Sequence, residues 1–94
     1  YSDIRLKTDI EIIRSALDKV ELLGGYTYKR TDIEDSRQAG VLAQQVQAVL
    51  PEAVREDPES GMLAVSYNGV VALLVEAINE LRQEVKELRN GAAK

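Results

Sequence analysis

From Asn68 to Asn90 the chain carries Val71, Leu74, Ile78, Leu81, Val85 and Leu88 at alternating spacings of three and four. Side chains so spaced share one stripe of a helix. They read as a heptad repeat with Val71, Ile78 and Val85 at a, and Leu74, Leu81 and Leu88 at d. A helix of this kind keeps its stripe from water either by folding onto its own domain or by meeting the same stripe on another copy. Glu84 falls at g and Arg89 at the following e, where opposite charges face each other across parallel strands. Parallel self-association is therefore the first expectation. β-Branched residues at a with leucine at d favour two strands, so the repeat alone does not set a larger number.

The rest of the chain makes a partner more necessary. Its 94 residues are enough for one domain but bury a smaller fraction of their surface than a larger chain does. With 4 tyrosines and no Phe or Trp, the core falls to Leu, Ile, Val and Ala. The absence of Cys and His excludes disulfides, thiol catalysis, Cys- or His-ligated zinc and any histidine-based triad, and no metal or cofactor is expected. Ser, Thr, Lys, Asp, Glu and Tyr are left to carry any chemistry. A net charge of -4 without a basic run argues against nucleic-acid binding. The longest apolar run, Val70 to Val75, is too short to span a bilayer, so a soluble domain without membrane contact is expected.

Ser2-Asp3-Ile4-Arg5-Leu6-Lys7 alternates loosely between polar and apolar residues, as an extended arm does. Thr8 and Glu11 stand in the T-x-x-E relation of a capping box, which predicts a helix with Ile10, Ile13, Leu17 and Val20 on one face, ended by Gly24-Gly25. Tyr26-Thr27-Tyr28 reads as a strand, and the polar segment Lys29 to Gln38 as a mobile loop or an excursion toward something outside the domain. A second helix is expected from Val41 to Leu50, opened by Gly40, with Leu42, Val46 and Val49 inward and Pro51 at its end. Glu56 to Gly61 is a turn cluster. Met62 to Tyr67 is a strand able to pair with Tyr26–Tyr28 in one small sheet. Asn68 is the expected N-cap of the long helix, and Gly91-Ala92-Ala93-Lys94 a frayed end. These elements make an α+β domain over 1–94: a short arm (1–7), an N-terminal helix, a small sheet, a middle helix and a coiled-coil helix (68–90).

Five segments, in this order, resemble a known family: Ser2-Asp3-Ile4-Arg5-Leu6-Lys7 before a helix, Gly40-Val41-Leu42-Ala43-Gln44-Gln45-Val46, Leu50-Pro51-Glu52-Ala53-Val54, Val65-Ser66-Tyr67 and Ala77-Ile78-Asn79-Glu80-Leu81. The family is that of the intramolecular chaperone auto-processing domains at the C-termini of bacteriophage tailspikes, tail fibres and neck appendages, also found in an animal myelin regulatory factor. The resemblance implies a homotrimeric folding device for the β-rich fibre or spike region upstream in the same polypeptide. It implies a precursor of the virion tail acting in the host cytoplasm during assembly, and a domain that severs itself from its client. Carried onto this sequence, the cut falls at Tyr1–Ser2, with Ser2 as nucleophile and Lys7 as general base of a self-cleaving serine endopeptidase, turning over once in cis or between protomers. A product of that cut begins at Ser2, so a chain that keeps Tyr1 is uncut there.

The chemistry sets two conditions. An amine acting as base must lose its proton near neutrality against a reference pKa of about 10.4, a shift of roughly 3 units that burial can supply. Arg5 works in the same direction, while Asp3 and Asp9 oppose it if close. The geometric condition is as strict, since five residues span about 16 Å when extended and about 7.5 Å along a helix axis. Either the arm bends sharply or the pair is completed across protomers. Asp3 and Arg5 read as supporting, ion-pairing groups. Glu76 and Glu80, one turn apart, read as a solvated helix flank rather than an acid/base pair. The reading from another class is a coiled-coil oligomerisation module without catalysis, needing neither Ser2 nor Lys7.

Overall fold

The structure, a computed structural model, describes residues 1–33 and 36–92. A 3-10 turn at Ile4–Leu6 is followed by α1 (Ala16–Glu21), β1 (Tyr26–Tyr28), β2 (Gln38–Gly40), α2 (Ala43–Val49), a second 3-10 turn (Pro51–Ala53), β3 (Val54–Glu56), β4 (Leu63–Val65) and α3 (Tyr67–Ala92). The class is α+β, as the sequence indicates, but the sheet is divided. β1 pairs antiparallel with β2, Tyr26 facing Gly40 and Tyr28 facing Gln38. β3 pairs with β4, Val54 facing Val65 and Glu56 facing Leu63. The expected pairing of Tyr26–Tyr28 with Met62–Tyr67 does not form. Each strand takes its neighbour in the chain instead, which closes a shorter loop at smaller entropy loss.

Several expected boundaries also move. Gly40 ends β2, paired with Tyr26, rather than opening a helix, and a Cβ there would sit 2.5 Å from the Tyr67 hydroxyl and 3.2 Å from that of Tyr28. α2 starts at Ala43, leaving Leu42 extended at its N-cap and 44% exposed, not inward; Val46 is fully buried and Val49 half-buried. α3 starts at Tyr67 with Ser66, not Asn68, as its cap: the Ser66 hydroxyl accepts from Gly69 N at 3.2 Å and its carbonyl from Val70 N at 3.2 Å. Gln38, expected in the loop after β1, belongs to β2. Gly91 and Ala92 are helical rather than frayed. Ala93 and Lys94, like Glu34 and Asp35 of the expected loop, lie outside the described residues.

The helix expected from Thr8 does not form. Residues 8–15 are non-helical, with Asp9 and Ser15 both at φ 53°, and α1 begins only at Ala16. Ile10, Ile12 and Ile13 are β-branched and weak helix formers, and the left-handed backbone at Asp9 breaks the turn that Thr8 and Glu11 would cap. Ile10 is 66% exposed, whereas Ile13, Leu17 and Val20 do pack against the core.

That core is small: Ala16, Val46, Leu50, Ala53, Val70, Leu73 and Ala77 are buried, ringed by half-buried Val, Leu and Ile. α3 supplies Val70, Leu73 and Ala77 on one stripe, and α1 and α2 close over it. The heptad residues lie on a different stripe of the same helix. Gly69 lets the helix start against the second 3-10 turn, since a Cβ there would come within 2.8 Å of the Ala53 Cβ. Among the described residues no helix is long and apolar enough to cross a membrane.

Candidate functional site

The arm is folded, not extended. Asp3 caps the first 3-10 turn, its Oδ1 accepting from Arg5 N at 2.8 Å, and its carboxylate grips the Arg5 guanidinium at 3.1 Å and 2.9 Å. The Arg5 guanidinium holds the Asp3 carboxyl below its ordinary value, and Asp3 in turn raises Arg5. Leu6 N donates to Asp3 O at 3.0 Å and Lys7 N to Ile4 O at 3.1 Å, which turns the chain back on itself. Ser2 and Lys7 then meet: Lys7 Nζ donates to Ser2 Oγ at 2.6 Å. Of the two routes open to the pair, the structure shows the sharp bend within one chain. Asp3 and Arg5 are the clasp of that bend. The signal in the sequence was Asp3 itself, an N-cap residue two positions before its arginine.

A serine hydroxyl within hydrogen-bond reach of an amine has the geometry of a nucleophile and its base. In the observed contact the lysine donates, and the reverse direction requires it to give up a proton. Residues 1–12 are all exposed, so a single chain does not supply the burial that step asks for. Tyr1, on the far side of the bond before Ser2, is wholly exposed.

On α3, none of the six heptad residues is buried; they range from 39% exposed at Val85 to 73% at Leu88. The intramolecular docking of α3 is carried by Val70, Leu73 and Ala77, and it leaves the heptad stripe bare. Past Glu80 every side chain from Leu81 to Gly91 is exposed, so the helix runs on beyond the domain that starts it.

Glu80 joins the two regions. Its carboxylate accepts from Ala16 N at 2.9 Å and from Leu17 N at 2.8 Å, capping α1 from a residue far along the chain. α1 needs this help, since Ser15 is left-handed and its side chain makes no cap. The Leu17 and Ala16 amides, with a smaller push from Lys19, hold the Glu80 carboxyl below its ordinary value. The solvated flank expected for Glu80 is thus corrected. Its spacing from Val70, Leu73 and Ala77 continues the core stripe by three, four and three, which marks its face in the sequence. Glu76, by contrast, accepts from Asn79 Nδ2 at 3.3 Å on its own helix.

The β1–β2 hairpin is the other surface feature. Arg37 bridges to Thr27, with Nη2 3.0 Å from its carbonyl and 3.1 Å from its hydroxyl, and Arg30 pairs with Asp32. Tyr26 and Ile33 are exposed on it.

Comparison with known proteins places these features in a family. A peptidase family described as chaperone of endosialidase matches residues 2–55, more than half of the chain, beginning at Ser2. The long tail fiber protein of Enterobacteria phage K3 is 46% identical over 95% of this chain. That of Enterobacteria phage M1 is 42% identical over 94%, and that of Salmonella phage S16 is 38% identical over 94%. The chain spans only 8% of the K3 protein, 13% of the S16 protein and 38% of the M1 protein. With the family match covering the folded arm, both strands of the first hairpin and α2, the chain belongs to the chaperone-of-endosialidase family.

Proposed function

We propose that residues 1–94 are an intramolecular chaperone auto-processing domain at the C-terminus of a phage tail fibre or spike. In this reading residues 68–90 trimerise three chains and hold their upstream β-rich regions in register. Residues 1–7 then cut the domain away at Tyr1–Ser2. Assembly of the virion tail takes place in the host cytoplasm. A nucleating trimer raises the effective concentration of three strands that must intertwine, which is the slow step in a fibre of long-range β contacts.

The observation that carries the reading is the Ser2–Lys7 contact at 2.6 Å. Neutral Lys7 takes the Ser2 hydroxyl proton as Oγ attacks the Tyr1 carbonyl carbon. The Tyr1–Ser2 C–N bond breaks, the proton passes to the departing Ser2 amine, and an ester joins Tyr1 to Ser2 Oγ. Water hydrolyses that ester to the Tyr1 carboxylate and restores the hydroxyl. Each chain does this once. Exposure of Lys7 in the single chain favours a cut that waits for assembly, with neighbouring copies excluding water from the arm.

Expressing the domain behind its upstream client tests this. A fragment starting at Ser2 is expected from wild type, and only the uncut precursor from Ser2→Ala and Lys7→Met. Equal uncut bands from wild type and Ser2→Ala would leave the other reading, a coiled-coil oligomerisation module without catalysis, which the bare heptad stripe supports equally well.

A further inference from the structure

We infer that Glu80 is a positioning residue for self-cleavage: it ties the segment carrying Ser2 and Lys7 to the helix that carries the association stripe, so that docking of that helix sets the arm in place. This rests on the self-cleavage proposed above. Three observations lead to it. Glu80 lies on α3 between Ile78 and Leu81, both on the exposed stripe, yet its side chain turns the other way and holds Ala16 N and Leu17 N. Among the described residues these are the only hydrogen bonds that join residues 1–23 to the rest of the chain. The helix they start cannot cap itself, because Ser15 is left-handed and makes no side-chain bond to it.

The arm bends by itself through Asp3 and Arg5, but where the bent arm sits depends on α1. Ala16 is fully buried against the core, and Ile13 is the last residue before it to touch that core. Residues 8–12 are an exposed, non-helical tether. Releasing α1 from Glu80 therefore lets the bent arm swing, and a reacting pair that must be covered by a neighbouring copy loses its address. A small misplacement of reacting groups is enough to slow a reaction strongly.

The test uses the full precursor, with the first-order rate of fragment release measured on the assembled species isolated by size. Glu80→Gln keeps the shape but presents an N–H2 group to one of two N–H donors, and Glu80→Ala removes the acceptor altogether. Both variants are expected to keep the assembled mass, to lose about fivefold or more in amide-exchange protection at Ala16 and Leu17, and to release fragment about fivefold or more slowly. Glu80→Asp, a carboxylate on a shorter stem, recovers part of the rate lost in Glu80→Ala. A residue with a purely structural role would lower the melting temperature yet leave the cutting rate of assembled species unchanged, and that outcome overturns the inference. If wild type releases no fragment, self-cleavage itself fails. Exchange then still decides the tie, and unchanged protection at Ala16 and Leu17 in Glu80→Gln overturns it.

Discussion

Asp3 shows how much a single side chain arranges here. It caps the 3-10 turn and clasps Arg5, and the turn is what brings Lys7 to Ser2. Asp3→Ala is expected to free the arm and slow fragment release by about tenfold or more, with assembly unchanged, as read on a time course of the precursor. Glu80 predicts a pH dependence. Its carboxyl is held below its ordinary value, so its contribution is complete above that value and disappears as pH falls through the lowered one. Amide protection at Ala16 and Leu17 should accordingly stay level from neutrality down to about pH 4.3 and drop only below it, with no such step in Glu80→Gln. Gly69→Ala sets two effects against each other. Alanine gains roughly 1 kcal/mol in a helix, but a Cβ 2.8 Å from that of Ala53 overpacks the start of α3. Overpacking costs about 1–3 kcal/mol, so the urea midpoint should fall. At this scale the sequence was legible for Ser2 and Lys7 as residues worth watching; for Glu80 the core-stripe spacing marks its face of α3, but not its partners, which are backbone amides.

Among the elements, α3 is the one that the sequence describes well, because 26 residues give a periodic pattern many chances to repeat. The capping box at Thr8 was a four-residue signal and lost to a run of β-branched residues and a left-handed Asp9. The strands are three residues each, too short for alternation to specify partners, and chain proximity chose them. α3 itself has two faces with separable tasks. Leu73→Ala, at a fully buried position, should destabilise the fold by about 2–5 kcal/mol in chemical denaturation. Leu88→Ala, 73% exposed, should leave the stability of an isolated chain almost unchanged.

At the scale of the whole molecule, the bare stripe and the projecting end of α3 call for a cover. Residues 81–91 are all exposed in the single chain, and a helix of that length is marginal in water without packing. Leu81→Asp, which places a charge in the middle of the stripe, is expected to shift the mass measured by light scattering toward single chains. The far-ultraviolet signal should fall only by the projecting turns. If the cutting proposal holds, the same variant leaves the precursor whole. The number of copies was not legible in the heptads, since a-position branching points to two and the family resemblance to three.

The turn that joins Ser2 to Lys7 lies wholly on one side of the bond before Ser2. Scission there would send hydroxyl and amine away together, leaving the fibre with a plain carboxylate and no means of trimming itself again. The freed N-terminus would be a second cation beside the lysine, so the departing piece would also be poorly suited to rejoin what it left. Disarmament of the finished product would then follow from local geometry, with no inhibitor required.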